Sequence, residues 1–136
     1  PRAPAGGRVT RALLVAALLL GCGSGKRSFE APVELHGELV QPDVLNRGEL
    51  VYMQYCRGCH GQRGRGDGPY ARSLQLPPRD LTTGEYRHIG APSDEELRRV
   101  ITEGIEGTGM RAQRVRGAEL EAVMAYTRWL ASDPEG

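Results

Sequence analysis

Two cysteines and a histidine stand together in the run Cys56-Arg57-Gly58-Cys59-His60, and they are the residues of this chain best suited to chemistry. Thiols three positions apart can both add to the vinyl groups along one edge of a porphyrin. The imidazole of the following histidine can then bind the iron below the ring as an axial ligand. This C-x-x-C-H spacing is the signature of covalent attachment of a c-type haem. We therefore expect a protein that transfers electrons rather than one that makes or breaks substrate bonds.

Two other interpretations of the cysteine pair stay open on the residues alone. A C-x-x-C pair also occurs in thioredoxin-like redox sites and as one half of a zinc site. The redox site is expected in a βαβ pattern, which the sequence does not show. A zinc site needs a second ligand pair, and the other histidines, His36 and His88, stand at no usual zinc spacing. The haem interpretation is preferred because c-type haem is attached outside the bacterial inner membrane and the N-terminal segment predicts export.

Residues 1–21 predict a signal peptide. Arg2, Arg8 and Arg11 form a basic region, and an unbroken apolar run follows at 12–20. The run is too short to span a bilayer, which takes about 20 residues, so it has the form of the apolar region of a secretory signal. No later segment of the sequence is apolar enough to cross a membrane, and we expect an exported, periplasmic protein.

The predicted leader ends in Leu-Leu-Gly-Cys at 19–22, which resembles a bacterial lipoprotein box. Cys22 would then become the lipidated N-terminus and anchor the protein to a membrane. Leu20 departs from the small residue usual at its position, and the alternative is ordinary cleavage nearby, which leaves a soluble protein. The lipoprotein is preferred because an unpaired third thiol is a liability in an oxidising compartment.

Residues 22–42 predict a flexible linker, because Ser, Gly, Lys, Glu and Pro dominate the segment without apolar periodicity. A flexible chain of about 20 residues reaches roughly 25 Å on average, which suits a small domain tethered near a membrane. The run Val33-Glu34-Leu35-His36 alternates and is consistent with a short strand. One small domain follows at 43–132, with a short tail at 133–136.

Charge argues against a nucleic-acid partner. The whole chain carries 18 basic and 17 acidic residues. Because the leader holds three arginines and no acid, the mature part has a net charge of −2. Phosphate backbones are bound by strongly basic surfaces, so we expect no nucleic acid among the partners.

Helical periodicity and capping signals predict three helices in the domain. Asn46 followed by Glu49 resembles a capping box, as does Ser93 followed by Glu96, and Gly104 is a stop signal. The predicted helices span 46–56, 94–103 and 118–131. One Phe and one Trp offer little material for a core, and domains of this size are marginal on their own. We therefore expect the haem-free chain to be largely unfolded or a molten globule.

Three segments after the haem motif complete a family pattern: Gly-Arg-Gly-Asp-Gly-Pro at 64–69, Pro-Pro-Arg-Asp-Leu-Thr at 77–82 and Gly-Ile-Glu-Gly-Thr-Gly-Met at 104–110. With them, residues 46–131 resemble a class I c-type cytochrome of the bacterial single-haem group. The resemblance implies an all-α, small cytochrome c fold, in which three main helices wrap around one covalently bound haem c and long Gly- and Pro-rich loops join them. It further implies that the first and last helices cross in contact through Gly48, Tyr52, Tyr126 and Leu130.

The resemblance also implies the bonds to the cofactor. Cys56 and Cys59 would form thioethers, and His60 and Met110 would be the two axial iron ligands. The chemistry of Met110 agrees, because a thioether is a soft, neutral ligand that favours ferrous iron. The glycines before it leave the loop free to bring this side chain to the metal.

Three other side chains compete with Met110 for the sixth position. Met53 precedes the attachment site on the first helix, which places it on the wrong side of the ring. Met124 belongs to an apolar helical stripe, the usual place for methionine. His88 stands in a loop and is the main competitor.

Prolines and arginines near the motif are candidates for supporting roles. In the family a proline carbonyl accepts the Nδ1 hydrogen of the axial histidine, and here Pro77 or Pro78 is the candidate. Arg79 and Arg87 are candidates to pair with a haem propionate, because a guanidinium can bind a carboxylate through two parallel hydrogen bonds. Each arginine could equally be an ordinary surface residue.

One position departs from the family pattern. Proline usually follows the ligand methionine, and here Arg111 does. Without proline to stiffen the loop, the iron–sulfur bond is expected to be labile. Arg111, Arg114 and Arg116 also form a basic cluster, which is either an ordinary solvated loop or a docking rim for an acidic redox partner.

These observations predict an electron carrier rather than an enzyme. It would transfer one electron at a time between respiratory redox partners, a donor and an acceptor, at the cell envelope. Two alternatives stay open. One is a haem-based sensor or enzyme, in which the methionine bond breaks and small ligands reach the iron. The other is a fixed haem subunit of a larger respiratory complex.

Overall fold

A short hairpin followed by α-helices makes up the computed structural model, which describes residues 28–84 and 92–133. The elements are β1 (Val33–Leu35), β2 (Glu38–Val40), α1 (Pro42–Tyr55), α2 (Arg57–His60), α3 (Asp94–Glu103) and α4 (Gly117–Ser132), with 3-10 turns at Ala71–Ser73 and Leu81–Thr83. The described ranges thus contain four α-helices where three main helices were predicted, the addition being α2. No helix in these ranges is both long and apolar enough to cross a bilayer.

The first helix starts earlier than the sequence predicted. α1 begins at Pro42, whose fixed φ suits the first position of a helix, after Gln41 at the N-cap. The capping box predicted from Asn46 and Glu49 is wrong, because both residues lie inside the helix. The Asn46 side chain bonds the backbone of Phe29 instead, and Glu49 is buried with 1% of its surface exposed.

The linker predicted at 22–42 is an ordered part of the fold from Ser28 onward. β1 and β2 pair antiparallel, with Val33 opposite Val40, and Leu35 is buried in the core. The alternation in this segment therefore predicted β1 correctly, whereas the prediction of a flexible linker is wrong for the hairpin. The remaining linker residues lie outside the described ranges.

Phe29 fastens the segment before the hairpin to both long helices. Its N–H donates to the Asn46 side-chain oxygen and its carbonyl accepts from the Asn46 side-chain nitrogen, each at 2.9 Å. Its ring stands edge-on to Trp129, with 4.9 Å between centroids, and to Tyr126 at 6.2 Å. Aromatic pairs of this geometry add about 0.5–1.5 kcal/mol beyond the area they bury. We call this set of contacts the Phe29 clamp.

α1 and α4 cross in direct contact, as predicted. A Cβ built on Gly48 would lie 2.1 Å from the Ala122 carbonyl oxygen and 2.8 Å from the Tyr126 Cβ. The rings of Tyr52 and Tyr126 lie 5.3 Å apart, and both residues are fully buried. Any side chain at position 48 would force the helices apart. This glycine therefore sets the position of α1, and of the haem motif at its end.

α3 begins and ends where the sequence predicted. The Ser93 hydroxyl accepts from the Glu96 N–H at 3.2 Å, and the Glu96 carboxylate accepts from the Ser93 N–H at 3.0 Å. Both halves of the predicted capping box are thus present. Gly104 ends the helix with a φ of 78°. Two ion pairs join α3 to α4: Arg98–Glu121 and Arg128–Asp94.

Candidate haem site

A cavity of about 450 Å³ is enclosed by the end of α1, by α2, by α3 and by the loops that follow α2 and α3. Cavities of roughly 300–1,000 Å³ are typical of small-molecule and cofactor sites. The residues predicted to bind the cofactor all line it: Cys56, Cys59, His60, Pro78, Arg79 and Met110. The fold therefore brings together side chains from distant parts of the sequence around one space.

Apolar side chains form most of the cavity wall. They are Leu74, Leu76 and Leu81 after the haem motif, Leu97, Val100 and Ile101 on α3, and Ile105 in the following loop. A large flat apolar group in the cavity would remove this surface from water, which contributes about 25 cal/mol per Å². Leu76 and Ile105 are also 51% and 47% exposed. They mark the side on which the cavity opens to solvent, which we call the cavity mouth.

α2 presents the two thiols and the imidazole together. The N–H groups of Cys59 and His60 both donate to the Cys56 carbonyl, at 3.2 and 2.9 Å. Residues three and four positions apart in a helix lie on one face, so all three side chains reach the cavity. Burial, and after it the charge of Cys59, raise the pKa of Cys56 to about 12. Redox pairs of the thioredoxin type have a lowered thiol pKa, so this environment disfavours that alternative.

The His60 ring is held by the backbone of the loop beyond the motif. Its Nδ1 lies 3.0 Å from the Arg79 carbonyl oxygen. Because a carbonyl only accepts, Nδ1 carries the hydrogen and Nε2 keeps a lone pair free for a metal. The carbonyl predicted for this role belonged to Pro77 or Pro78, and the structure corrects it to Arg79. Burial lowers the pKa of His60 against the opposing effect of the Arg79 hydrogen bond, which favours the neutral, metal-binding form.

The Gly-rich loop after the motif explains which carbonyl reaches His60. The Gly66 N–H donates to the His60 carbonyl at 2.8 Å. Gly66 has a φ of 76°, and a Cβ built on it would lie 2.6 Å from the Pro78 carbonyl oxygen. The Pro78 carbonyl therefore packs against Gly66, and the next carbonyl, that of Arg79, is the one that accepts from the imidazole.

Met110 lines the cavity from the loop between α3 and α4. The Ile105 N–H donates to the Met110 carbonyl at 2.8 Å, beside an antiparallel bridge between Gly104 and Arg111. The Met110 N–H donates to the Thr108 hydroxyl at 3.1 Å. The loop expected to depend on flexible glycines is thus tied by hydrogen bonds at both ends.

The other candidates for the sixth position lie elsewhere. Of the three methionines, all within the described ranges, Met110 alone lines the cavity. Met124 is buried in the core, and Met53 packs partly buried against the same core. His88 lies outside the described residues, as do Arg87 and Cys22. Ligation by Met110 stays a prediction, and the geometry favours it over the two other methionines.

The donor set fits an iron held in a macrocycle. Among the residues that the structure describes, no three His, Cys, Asp or Glu side chains form a group that could hold a bare metal ion. His60 and Met110 can supply two axial ligands only, so the equatorial ligands must arrive with the metal. An apolar cavity with two thiols beside the imidazole meets the requirements of a covalently attached haem.

The predicted arginines occupy different environments around the cavity. Arg79 is half-buried in the wall, whereas Arg111 and Arg114 are exposed, with Arg111 also lining the cavity. The Arg116 guanidinium donates to the neighbouring carbonyls of Gln113 and Val115, at 3.0 and 2.7 Å. Arg116 is also exposed, but its guanidinium is held against its own backbone, and of these three exposed arginines Arg111 alone lines the cavity.

Some cavity residues were not recognised from the sequence. Leu74 and Leu76 alternate with polar residues ahead of a proline pair, a weak signal for an apolar edge. Gln113 and Thr108 also line the cavity; no motif includes Gln113, and the motif that contains Thr108 gave it no role. Only their hydrogen bonds in the folded loop assign them a place.

Comparison with known proteins agrees with this geometry. The model of a family described as cytochrome c oxidase, cbb3-type, subunit III matches residues 43–126. Among solved structures, the chain is similar to a chain of the Kuenenia stuttgartiensis reducing HAO-like protein complex, with 29% identity and a TM-score of 0.55. That match covers 73% of this chain and 45% of the other, so this chain accounts for less than half of its relative's length. No curated protein matches the chain. The chain belongs to the family described as cytochrome c oxidase, cbb3-type, subunit III, and it is a class I c-type cytochrome, a haem protein of electron transfer.

Proposed function

We propose that this cytochrome carries one haem c and passes single electrons between respiratory redox partners at the cell envelope. The observation that carries the proposal is the shared cavity of Cys56, Cys59, His60 and Met110. Covalent attachment through the two thiols would keep the cofactor on a small domain that could not otherwise retain it. When bound, the haem supplies an iron that alternates between the ferrous and ferric states.

The residues of the chain would give that iron a fixed environment. His60 is oriented by its hydrogen bond to Arg79, and such an outer partner fixes the ring and raises its basicity. Met110 would favour the ferrous state as a neutral, soft ligand. The apolar wall would shield much of the haem from water, which would reduce the solvent that has to reorganise when the charge on the site changes. Arg79, half-buried in the cavity wall, would pair with a propionate.

The redox partner would dock at the cavity mouth. Exposed Leu76 and Ile105 lie there, with Arg111 lining the same cavity. Transient redox partners dock through small apolar patches with charged rims, and the charges mainly raise the rate of encounter. The exposed charge of Arg111 beside this patch supports an acidic redox partner. If electron transfer to such a partner were insensitive to ionic strength, the docking proposal would fail.

An optical spectrum of the protein produced with haem-attachment machinery tests the proposed ligands. We expect a low-spin spectrum with the weak far-red band of methionine-bound ferric haem, unchanged by carbon monoxide after reduction. Met110→Leu should lose the band. A high-spin spectrum, or ready binding of carbon monoxide, would instead support a haem-based ligand sensor or enzyme. That alternative is motivated by Arg111, which stands where the family usually has a proline that stiffens the loop.

The proposed location depends on Cys22. Export followed by lipidation at this residue would hold the protein on the periplasmic side of a membrane. Intact-mass measurement after expression of the full chain should show cleavage before Cys22 and a lipid on it. The Cys22→Ser variant should appear in the soluble periplasmic fraction. A mature protein of unmodified mass beginning elsewhere would overturn the lipid anchor and leave the electron carrier intact.

A second candidate is a fixed subunit of a respiratory complex. It is favoured by the family description, which names an oxidase subunit, and by the structural relative, which is part of a protein complex. Native electrophoresis of mildly solubilised membranes distinguishes the two. Migration of the haem-stained chain at its own small size supports a free carrier, whereas migration only within a large assembly supports the subunit.

A further inference from the structure

Thr108 ties the loop that presents Met110 to the cavity. Its hydroxyl accepts from the Met110 N–H at 3.1 Å and donates to the Ile105 carbonyl at 2.8 Å. The same carbonyl accepts from the Thr108 N–H at 3.2 Å. One hydroxyl therefore connects the residue that starts the loop to the residue whose side chain lines the cavity.

The Ile105–Met110 hydrogen bond and the Gly104–Arg111 bridge hold the base of this loop, whereas its tip at Gly107 is open. Gly107 has a φ of 74° and no atoms within 4 Å of where its Cβ would be. A second glycine, Gly109, separates Thr108 from Met110. Glycine loses more conformational freedom on folding than any other residue. A side-chain hydroxyl that bonds the N–H two residues on is a known way to close such a turn.

We propose that Thr108 is a positioning residue that keeps Met110 on the iron. This inference rests on the proposed ligation by Met110. The hydroxyl serves the purpose that a proline at position 111 would serve, because both reduce the number of conformations open to the loop. Removing it frees the Met110 N–H to bond water, which favours a loop in which the thioether has left the metal.

Imidazole is a suitable probe, because it binds ferric haem only where the sixth position is open. Its apparent dissociation constant equals the intrinsic constant divided by the open fraction. The experiment uses the full-length holoprotein. Thr108→Val removes the hydroxyl at nearly constant volume, and Thr108→Ser keeps it. Thr102→Val is the matched control, because the Thr102 hydroxyl donates to the Arg98 carbonyl within α3, at 2.9 Å.

We expect Thr108→Val to bind imidazole about tenfold more tightly than the wild type, equivalent to about 1.4 kcal/mol in the opening of the sixth position. Its far-red band should weaken, and Thr108→Ser and Thr102→Val should stay within about twofold of the wild type. A readout independent of the iron is amide hydrogen exchange at Met110, which should be faster in Thr108→Val alone. Equal imidazole affinity and equal exchange in Thr108→Val and Thr102→Val would overturn the proposal.

Met110→Leu separates failure of this inference from failure of the proposed function. If Met110→Leu loses the far-red band while Thr108→Val matches its control, Met110 is the ligand and Thr108 does not position it. If the spectrum of Met110→Leu equals that of the wild type, Met110 is not the ligand and both proposals fall. Thr108→Ala is measured beside Thr108→Val, because both variants lack the hydroxyl. If one of them takes up haem poorly, the other still tests the proposal.

Discussion

Gly48 of α1 and Ala122 of α4 meet through their backbones, because a Cβ on Gly48 would lie 2.1 Å from the Ala122 carbonyl oxygen. A backbone oxygen inside a helix cannot rotate away as the end of a flexible side chain can. Tyr52, one turn further along α1, lines the haem cavity. The spacing of the two helices at Gly48 therefore sets one wall of the site.

Gly48→Ala should destabilise the holoprotein by about 1–3 kcal/mol or more, the usual cost of overpacking. The sign of the change in the free energy of unfolding is informative, because Gly→Ala at an open helical position would stabilise the protein by about 1 kcal/mol through helix propensity. Urea unfolding followed by circular dichroism measures the change. Arg47→Ala, an exposed neighbour on the same helix, should stay within about 0.5 kcal/mol. Equal stability of the two variants would contradict the role of the close contact.

The haem-free chain should not hold this fold. Without haem, water would enter the cavity of about 450 Å³ and wet the apolar side chains that line it, a loss of about 25 cal/mol per Å² of apolar surface for a domain whose stability is expected to be only about 5–15 kcal/mol. The Cys56→Ser, Cys59→Ser double variant, which cannot attach haem, should lack a cooperative calorimetric transition and near-ultraviolet dichroism. A sharp transition in this variant would show that the helices pack without the cofactor.

Acid should remove part of the stability of α3. Hydrogen bonds from the Ser93 backbone and hydroxyl hold the pKa of Glu96 below its ordinary value of 4.5. Because the pKa of Glu96 is lower in the folded protein than in the unfolded chain, ionised Glu96 stabilises the fold at pH values above its pKa in the unfolded chain. This stabilisation is lost as the pH falls through its pKa in the folded protein. Glu96→Gln should therefore lower the thermal midpoint near neutral pH and have a smaller effect at about pH 3. Glu95→Gln, in the same exposed turn, is the control, and a pH-independent effect of Glu96→Gln would contradict the assignment.

The positive charge of Arg111 at the cavity mouth should speed electron transfer to anionic reagents and slow electron transfer to cationic ones. Arg111→Glu should slow oxidation of the ferrous protein by ferricyanide, an anion, by about tenfold at low salt. The same variant should react faster with a cationic cobalt complex. Arg47→Glu changes the net charge equally but does not line the haem cavity, so it should have a much smaller effect. Equal rates for the two variants would mean that electrons do not leave through the mouth.

Local signals in the sequence predicted the parts of the structure that local contacts determine. The thiols and imidazole of the motif share a face because they lie within one helical turn. Ser93 and Glu96 cap α3 as predicted, because each finds its partner three residues away. The family resemblance predicted that Met110 lies near the thiols and the imidazole of the haem motif. All four residues line one cavity.

Long-range packing determined what the sequence did not show. Asn46 has the form of a helix cap, yet its side chain bonds Phe29, which lies 17 residues away. The polar composition of residues 28–41 predicted a flexible linker, but Leu35 is buried in the core and the Phe29 ring contacts two aromatic rings of α4. The choice of Arg79 rather than Pro78 as the partner of His60 depends on where Gly66 meets the chain. None of these contacts leaves a periodic pattern.

The Phe29 clamp decides how far a lipid-anchored form of this cytochrome can travel from its membrane. If Cys22 carries the lipid as proposed, five residues separate it from Ser28, where the described fold begins. Even a fully extended chain of six residue steps spans at most about 22 Å, less than the roughly 25 Å expected as the average reach of the longer linker. Such a domain would meet only partners that lie on or in the same bilayer. It would then distribute electrons sideways along the membrane surface rather than across the width of the periplasm.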